Sequence, residues 1–362
     1  MEEKIVKLGV IGLGRGMFVA KEVLGESRVR LTAICDRNTT LLAQAEKELA
    51  ELHYEGVKSY TDFDEMLRDA DMDALFVATY ADCHVPFVVR AMDAGKHVIS
   101  EIPAVNTLEE AKELKAVVKR HPELKYMAGE NCFYWAFIQA WKAMYDAGRF
   151  GEAIYAESEY IHSRDFRDMK AEDYPKEHWR SYHPAIHYLT HNLGPLLYIL
   201  DDRCVSVSCM TPDVVYNPYR DPQMNGVALF KTAKGAVIRI LITFDTYADA
   251  DHNYRIMGTR GSVETDPTAT IEEAHSFARL ADIPGTIKRK LEIPVTLKNE
   301  GEGDSGHGGA DKKMMMDFID CIINDTKPPI DVDMGIRISL PGIIAHESSV
   351  KGGAVMEIPV IE

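Results

Sequence analysis

No stretch of this chain approaches the ~20 consecutive apolar residues that a membrane-spanning helix needs. None of its six cysteines stands in a Cys-x-x-Cys pair. Cys35, Cys83, Cys132, Cys204, Cys209 and Cys321 are scattered singly, which in a chain this long reads as reduced core residues rather than a disulfide framework or a zinc site. Basic charge is short as well. Lys and Arg number 41 against 57 Asp and Glu, a formal net charge of −16. With no basic patch to offset it, that balance argues against a nucleic-acid or anionic-membrane partner. There is no internal repeat and no low-complexity segment. The opening "MEEKIVKLGVIGLG" is acidic and passes straight into a strand, so no signal peptide is expected and the expected location is cytoplasmic.

What is present is an ordinary globular composition, 46% hydrophobic and 27% charged, over 362 residues. That length exceeds the usual ceiling for one core, so two domains are expected. The first third alternates short apolar runs with helical patterns. "KLGVIGLG" reads as a strand, with a helix over Gly16–Leu24 after it. "VRLTAICD" is a second strand, and "TTLLAQAEKELAEL" a helix capped by Asn38 or Thr39. "SYTDFDEMLRD" reads as a short helix, "MDALFVAT" as a third strand, "HVPFVVRAMDAG" as a helix closed by Gly95, and "HVIS" as a fourth strand. Thr107-x-x-Glu110 has capping-box spacing at the start of the next helix. Buried strands alternating with helices indicate a parallel, doubly wound α/β sheet of the Rossmann kind over 1–128.

Past that point the texture changes. "AIYAESEYIH", "GVALFKTAKGAVIRILITF" and "NYRIMGTRGSVETD" alternate apolar and polar residues and turn at Ala-Lys-Gly or Thr-Arg-Gly. This is hairpin chemistry, and it predicts a C-terminal α+β domain over 129–362 with an open, mostly antiparallel sheet. Helices interrupt it at "NCFYWAFIQAWKAMYDAG" and "HPAIHYLTHNLGPLLYIL". The glycine-rich "KNEGEGDSGHGGAD" reads as a loop before the helix "KKMMMDFIDCIIND".

The chemistry starts at Gly12-Leu13-Gly14-Arg15-Gly16-Met17, which follows the first strand and opens a helix. Glycines there let the backbone turn tightly and approach a pyrophosphate at a helix N-terminus. The last glycine falls one place early, with Met17 where Gly or Ala is usual. Asp36, 24 residues after Gly12 and followed by Arg37, ends the second strand, where a carboxylate accepts from both ribose hydroxyls and repels a 2′-phosphate. NAD is therefore expected over NADP. Thr79 and His84 lie at the carboxyl end of the third strand, where such sheets bind ligands. His84 reads either as a wall of the nicotinamide site or as a helix-start residue.

"GVIGLGRG", "AICDR", "DALFVAT…H", "AGKHVISEIPA", "LDDR" and "IMGTRGSVETD" together resemble the Gfo/Idh/MocA oxidoreductases, the glucose–fructose oxidoreductase and inositol dehydrogenase family, nearly end to end. The resemblance implies NAD(P), a sugar or cyclitol substrate, and homo-oligomers (dimers or tetramers) formed through the C-terminal sheet. It also implies a catalytic lysine in Glu-Lys-Pro and an Asp-x-x-x-His helix. Here the triplet is Glu101-Ile102-Pro103, and the helix carries His187 and His191. "SEIPAVNTLEEA", "AGENCFYWAF", Tyr188-to-Pro195 and Gly306-to-Asp311 resemble the family's glycosidase branch, which includes NAD-dependent α-N-acetylgalactosaminidases. That branch implies oxidation at C3, loss of the C2 proton, elimination, water addition and re-reduction, with Tyr188 three residues before His191.

On an unbroken helix His187 and His191 share one face with Tyr188 beside them. They read as a metal-free proton-transfer set, as a His-x-x-x-His metal pair, or as core histidines. No acidic third ligand is obvious, so no metal is expected. Arg180, Tyr182 and His183, just before this helix, are candidates for the sugar cleft, and His307 for a contact from the far side unless its loop is only a linker. Glu101 is a candidate to orient the nicotinamide or to act as a cap. Pro103 follows Ile102 in a loop over the nicotinamide, and Asn131 ends a strand beside it, with Phe133, Tyr134 and Trp135 packing. Three functions stay open: a redox-neutral glycosidase, a net sugar or cyclitol dehydrogenase, and an inert NAD-binding regulator.

Overall fold

The computed structural model describes residues 4–162, 179–215, 222–248, 251–266, 275–293 and 306–362. The elements are, in order, β1 (Val6–Ile11), α1 (Leu13–Lys21), β2 (Val29–Cys35), α2 (Thr39–Glu51), β3 (Lys58–Tyr60), α3 (Phe63–Asp69), β4 (Ala74–Val77), α4 (His84–Asp93), β5 (His97–Ser100), α5 (Leu108–Arg120) and β6 (Tyr126–Ala128). Then follow α6 (Ala136–Asp146), β7 (Ala153–Ile161), α7 (Trp179–Tyr182), α8 (Thr190–Leu200), β8 (Cys204–Met210), β9 (Asn225–Thr232), β10 (Val237–Thr243), β11 (Asp251–Gly258), β12 (Gly261–Thr265), β13 (Ser276–Leu280) and β14 (Leu291–Ile293). The chain closes with α9 (Ala310–Asn324), α10 (Val332–Val350) and β15 (Met356–Glu357).

The chain divides into two compact units. One holds Met1–Glu130, Gly303–Ile336 and Ile361–Glu362; the other holds Asn131–Glu302 and Arg337–Val360. The expectation of one continuous second domain over 129–362 is corrected by this division. The physical reason is visible at β6, whose Ala128 N–H donates to the Ile330 carbonyl at 2.9 Å, so the late segment completes the first unit.

The first unit is built on a six-stranded sheet in the order β3-β2-β1-β4-β5-β6, all pairs parallel. The order reverses between β1 and β4, the switch point at whose carboxyl ends ligands bind in such folds. Side-chain caps set the helix starts. Asn38 accepts from Thr40 and Leu41, Asp62 from Glu65, and Thr107 from Glu110. The capping box is shifted by one residue, since the Glu110 carboxylate accepts from the Asn106 amide at 2.7 Å. "SYTDFDEMLRD" is not one helix: Ser59 and Tyr60 end the edge strand β3, and the helix starts only after the Asp62 cap.

The second unit carries a nine-stranded sheet ordered β14-β13-β12-β11-β7-β10-β9-β8-β15. Its neighbours are antiparallel except β10 and β7, which run parallel at the centre. The β9–β10 hairpin turns at Ala233-Lys234-Gly235, where Gly235 has φ +103°. On β9 alternate side chains are buried, and Val227 and Leu229 point to solvent. Beside them the register places Arg239 opposite Glu157, Glu157 opposite Arg255, and Arg255 opposite Glu264, so a row of ion pairs crosses four strands.

Among the described residues no helix is long and apolar enough to cross a membrane. The longest, α10, has no clear signature in the sequence because it contains Gly335, Pro341 and Gly342. Its glycines allow close packing. A Cβ on Gly335 would lie 3.0 Å from the Ala128 Cβ, and one on Gly342 would lie 2.8 Å from the Ile186 carbonyl oxygen.

Candidate active site

In the first unit each glycine of the turn has a separate task. Gly12 has φ +87°, and a Cβ there would stand 2.4 Å from the Ala78 carbonyl oxygen. At Gly14 a Cβ would meet nothing within 4 Å, which leaves open the place where a pyrophosphate approaches. At Gly16 a Cβ would lie 2.7 Å from Val10, so this glycine supplies the close helix–strand contact although it comes one position early; Met17 is then a buried core side chain.

Unlike α2, α3 and α5, α1 has no side-chain cap from its N-cap residue, and unlike α3 and α5 it has no acidic residue in its first turn. Its Leu13 amide donates to Asp36 Oδ2 at 2.8 Å, while Asp36 Oδ1 accepts from the Asn38 amide at 2.8 Å. A helix start without its own anion, next to an open glycine and an anchored carboxylate, fits a dinucleotide. Exposed Arg37 lies over the Tyr80 ring at 5.7 Å, and half-buried Thr79 follows β4.

His84 is buried at the first position of α4. Its Nδ1 lies 3.0 Å from the Pro103 carbonyl and its Nε2 3.2 Å from the Thr79 carbonyl. Burial pushes its pKa down against those two bonds, so the ring is neutral and has a single N–H to donate. It ties the end of β4 to the Pro103 loop and offers little surface to a ligand. The Ile102–Pro103 peptide is cis. Ile102, at the position of the family lysine, is buried.

Glu101 does not act as a helix cap. Its Oε1 accepts from Arg15 Nε at 3.0 Å. Arg15 Nη2 donates to Asp311 Oδ1 at 2.6 Å, and His307 Nδ1 lies 2.9 Å from Asp311 Oδ2. Burial alone would raise the Asp311 carboxyl, but its bond to His307 and the Arg15 charge overcome this and hold its pKa at about 2. Asp311, which the sequence reading did not single out, thus joins three predicted residues: it binds Arg15 and His307 directly, and Glu101 through Arg15. The signal was there: Asp311 lies four residues after His307 at a helix start.

In the second unit "HPAIHYLTHNLGPLLYIL" is not a single helix. A 3-10 segment, Ala185–Leu189, precedes α8. The expected shared face of His187 and His191 is lost with it. His187 is buried against the rings of His183 (4.9 Å) and His346 (5.5 Å), and neither of its ring nitrogens has a hydrogen-bond partner among the described residues. Burial, followed by these two histidines, pushes its pKa well below the usual value.

His191 and Tyr188, both half-buried, do come together, with ring centroids 5.4 Å apart. The His191 carbonyl accepts from the Tyr254 hydroxyl at 2.5 Å, and its Nδ1 lies 3.2 Å from the Cys132 thiol. Asn192 donates to Ser158 at 2.6 Å, which fixes the first turn of α8 on β7. Around this pair stand Trp179, Tyr160 and Phe244, and His252 stacks on Tyr160 at 4.0 Å.

Asn131 is buried, with its Oδ1 3.5 Å from the Cys132 thiol. Phe133, Tyr134 and Trp135 pack in the core. His183 is buried too, whereas Tyr182 is exposed. Arg180 lies on α7, and its side chain falls outside the described residues. Tyr160 and His252 gave no local sequence signal, because only the β7–β11 register sets them face to face.

Residues 6–129 match the Gfo/Idh/MocA model described as an oxidoreductase family with an NAD-binding Rossmann fold, and 138–264 match the Gfo/Idh/MocA C-terminal domain. Residues 219–361 match the glycosyl hydrolase 109 C-terminal domain. The chain is 30% identical over 392 residues to glycosyl hydrolase family 109 protein 2 of Bacteroides fragilis (strain YCH46), covering 98% of this chain and 91% of the relative. The chain belongs to glycosyl hydrolase family 109, within the Gfo/Idh/MocA oxidoreductases. Its first unit is an NAD-binding Rossmann domain.

An α-N-acetylgalactosaminidase of Tannerella forsythia is 28% identical over 407 residues, covering 98% of this chain and 86% of the relative. Among solved structures, levoglucosan dehydrogenase in complex with NADH superposes with a TM-score of 0.83 at 19% identity, over 99% of this chain and all of that one. Scyllo-inositol dehydrogenase from Lactobacillus casei, with NAD(H) and scyllo-inositol bound, gives a TM-score of 0.80 at 20% identity, over 98% and 99% of the two chains. At such identities these two matches establish the fold alone.

Proposed function

We propose that this protein is a redox-neutral glycosidase that retains its NAD, with an N-acetylhexosaminide of the kind named for the T. forsythia relative as the first substrate class to test. The observation that carries the reading is the Tyr188–His191 pair, accessible and anchored from β7 and β11, in a chain whose family lysine position holds a buried isoleucine.

The open glycine turn, the N-terminus of α1 and Asp36 would hold the dinucleotide. When bound, NAD would supply a reversible hydride acceptor for the sugar C3 position. His191 takes the proton of the C3 hydroxyl as a general base. The resulting ketone acidifies the C2 proton. Tyr188 serves that proton, or the enolate oxygen formed when it leaves. The substituent then departs from C1 and water adds. Exposed Tyr182 supports a place for it at the sugar, whereas the burial of His183 and His187 supports packing roles for both.

The test is a glycoside deuterated at C2. Loss of the label to solvent during cleavage, without net reduction of the cofactor, is expected. Retention of the label with stoichiometric cofactor reduction would give the case to a plain sugar dehydrogenase. Exposed Val227, Leu229 and Met210 beside the ion-pair row further support self-association through this sheet face, and a monomer in sedimentation at micromolar concentration would overturn that part.

A further inference from the structure

An imidazole can take a proton from a substrate only at a ring nitrogen that carries none. The hydrogen bond made by one nitrogen decides which of the two holds the hydrogen. At His191 the partner of Nδ1 is a sulfur atom. Cys132 Sγ lies 3.2 Å from His191 Nδ1, and the same thiol reaches Asn131 Oδ1 at 3.5 Å. A thiol has one hydrogen to give. With Asn131 Oδ1 accepting it, the sulfur turns its lone pairs to the ring, and Nδ1–H is the group that donates to it. Nε2 then keeps its lone pair and is the basic atom of the ring.

The surrounding elements fix this contact. Asn131 and Cys132 are buried and belong to the 3-10 turn Asn131–Tyr134. The next residue, Phe133, stacks on Tyr198 of α8 with ring centroids 4.9 Å apart. A Cβ on Gly194, three residues after His191 on α8, would stand 2.9 Å from the Phe133 ring. The small residue there lets the turn come this close to the helix. Tyr160 stands perpendicular to the imidazole at 5.6 Å, and the His191 carbonyl accepts from Tyr254. Thiol and ring thus sit on supports that do not let them drift apart.

We infer that Cys132 is a positioning residue that holds His191 in the tautomer with its hydrogen on Nδ1, so that Nε2 is the base at the C3 hydroxyl. The inference rests on the glycosidase reading above. In that cycle Nε2 takes the hydroxyl proton when C3 is oxidised and returns it when the ketone is reduced again. The electron pair of the C3–H bond makes the same round trip with the cofactor, so the ring ends as it began. Sulfur suits a proton that has to come back. A carboxylate on Nδ1 would stabilise the imidazolium strongly, whereas a thiol is a weak acceptor. It sets the tautomer without trapping the charge.

A residue that only packs would not change where the hydrogen sits on a neighbouring ring. Protein as purified with its NAD, carrying histidine enriched in heavy nitrogen, reports the tautomer in its ring-nitrogen resonance spectrum at a pH where imidazoles are neutral. The His191 signals are those missing from His191→Ala. Wild type should carry the hydrogen on Nδ1. Turnover is read on the best substrate from a screen of nitrophenyl α- and β-glycosides of N-acetylgalactosamine, galactose and glucose. Cys132→Ala should move the ring toward the Nε2–H form and lower kcat by ~10-fold or more with little change in KM, short of the ~10²–10⁴-fold cost of losing the base itself. Cys132→Ser, which keeps an acceptor on that side chain, should restore the Nδ1–H signal and most of kcat. NAD released on denaturation reports whether each variant keeps its fold. A hydrogen on Nε2 in wild type, or an unchanged tautomer or kcat in Cys132→Ala, would overturn the inference while leaving the glycosidase reading in place. A wild type that cleaves none of the glycosides would remove that reading and the proton cycle with it, and the spectrum would still decide what Cys132 does to the ring.

Discussion

Around the nucleotide turn, side chains are held by charge and backbone amides. Asp36 sits between two N–H groups, Arg15 between two carboxylates, and His84 between two carbonyls. Around Tyr188 and His191 in the second unit the neighbours are rings: Tyr160, Trp179, Phe244 and His252. The first arrangement has directional partners and suits a ligand that stays bound. The second relies on contact area and ring edges, which suit the face of a sugar ring. On the proposed reading, cofactor retention and proton chemistry would sit on different physical supports, so substitutions should separate them.

The largest separation should come at His191. His191→Ala should lower turnover by ~10²–10⁴-fold or more and leave the amount of NAD released on denaturation unchanged. Its counterpart is Ile102→Lys, which restores the family lysine. This variant should gain no activity, because the ammonium would have to be desolvated in a buried position that holds an isoleucine. A large gain would mean that the site is an impaired dehydrogenase, and the contrast drawn above would fail.

A smaller effect is expected in the first unit. Wild-type protein should bind NAD more tightly than NADP in calorimetry. Asp36→Ala should close much of that gap, since it removes the repulsion of a 2′-phosphate together with charged hydrogen bonds worth roughly 1.5–3 kcal/mol each. Equal wild-type affinities would show that Asp36 serves only the backbone turns.

The smallest effect should be at His187. The fold holds this ring neutral, while in the unfolded chain it titrates near ~6.5. Below that pH the unfolded state carries a proton that the folded state refuses. Its contribution to stability is therefore full above about pH 6.5 and declines with acid, by about 1.4 kcal/mol per pH unit, until the folded ring also protonates. His187→Leu should flatten the acid side of a denaturation–pH curve and change kcat far less than His191→Ala. An unchanged curve would place the ring in contact with solvent.

The same contrast explains what was legible in the sequence. The parallel sheet, the Asn38 and Thr107 caps and the glycine turn are written in consecutive residues, and the structure has them. The edge strand β3 escaped notice because three residues give too short a pattern, and α10 because its glycines and proline resemble loop signals. The parallel pairing of β7 with β10 cannot be seen in either strand, since it is a property of the path between them. At the site, Tyr188 and His191 stand where the family resemblance implies them and do meet, whereas the grouping of His187 with them requires an unbroken helix. Tyr160 and His252 lie 92 positions apart and are joined only by register. Asp311 lay within reach of local reasoning, as the fourth residue after His307.

The bond from Ala128 to Ile330 has a consequence for how the chain is made. Among the described residues, the strands of the first sheet are all synthesised by residue 128, but the carbonyl that accepts the β6 amide follows 202 residues later. At ordinary elongation rates that is a wait of roughly 10–40 s. Throughout it the outer edge of β6 is an open template for other strands, in the terms that govern nascent-chain aggregation. A fragment ending near residue 130 would carry that edge permanently, so it is better regarded as an arrested synthesis intermediate than as a free-standing nucleotide-binding module.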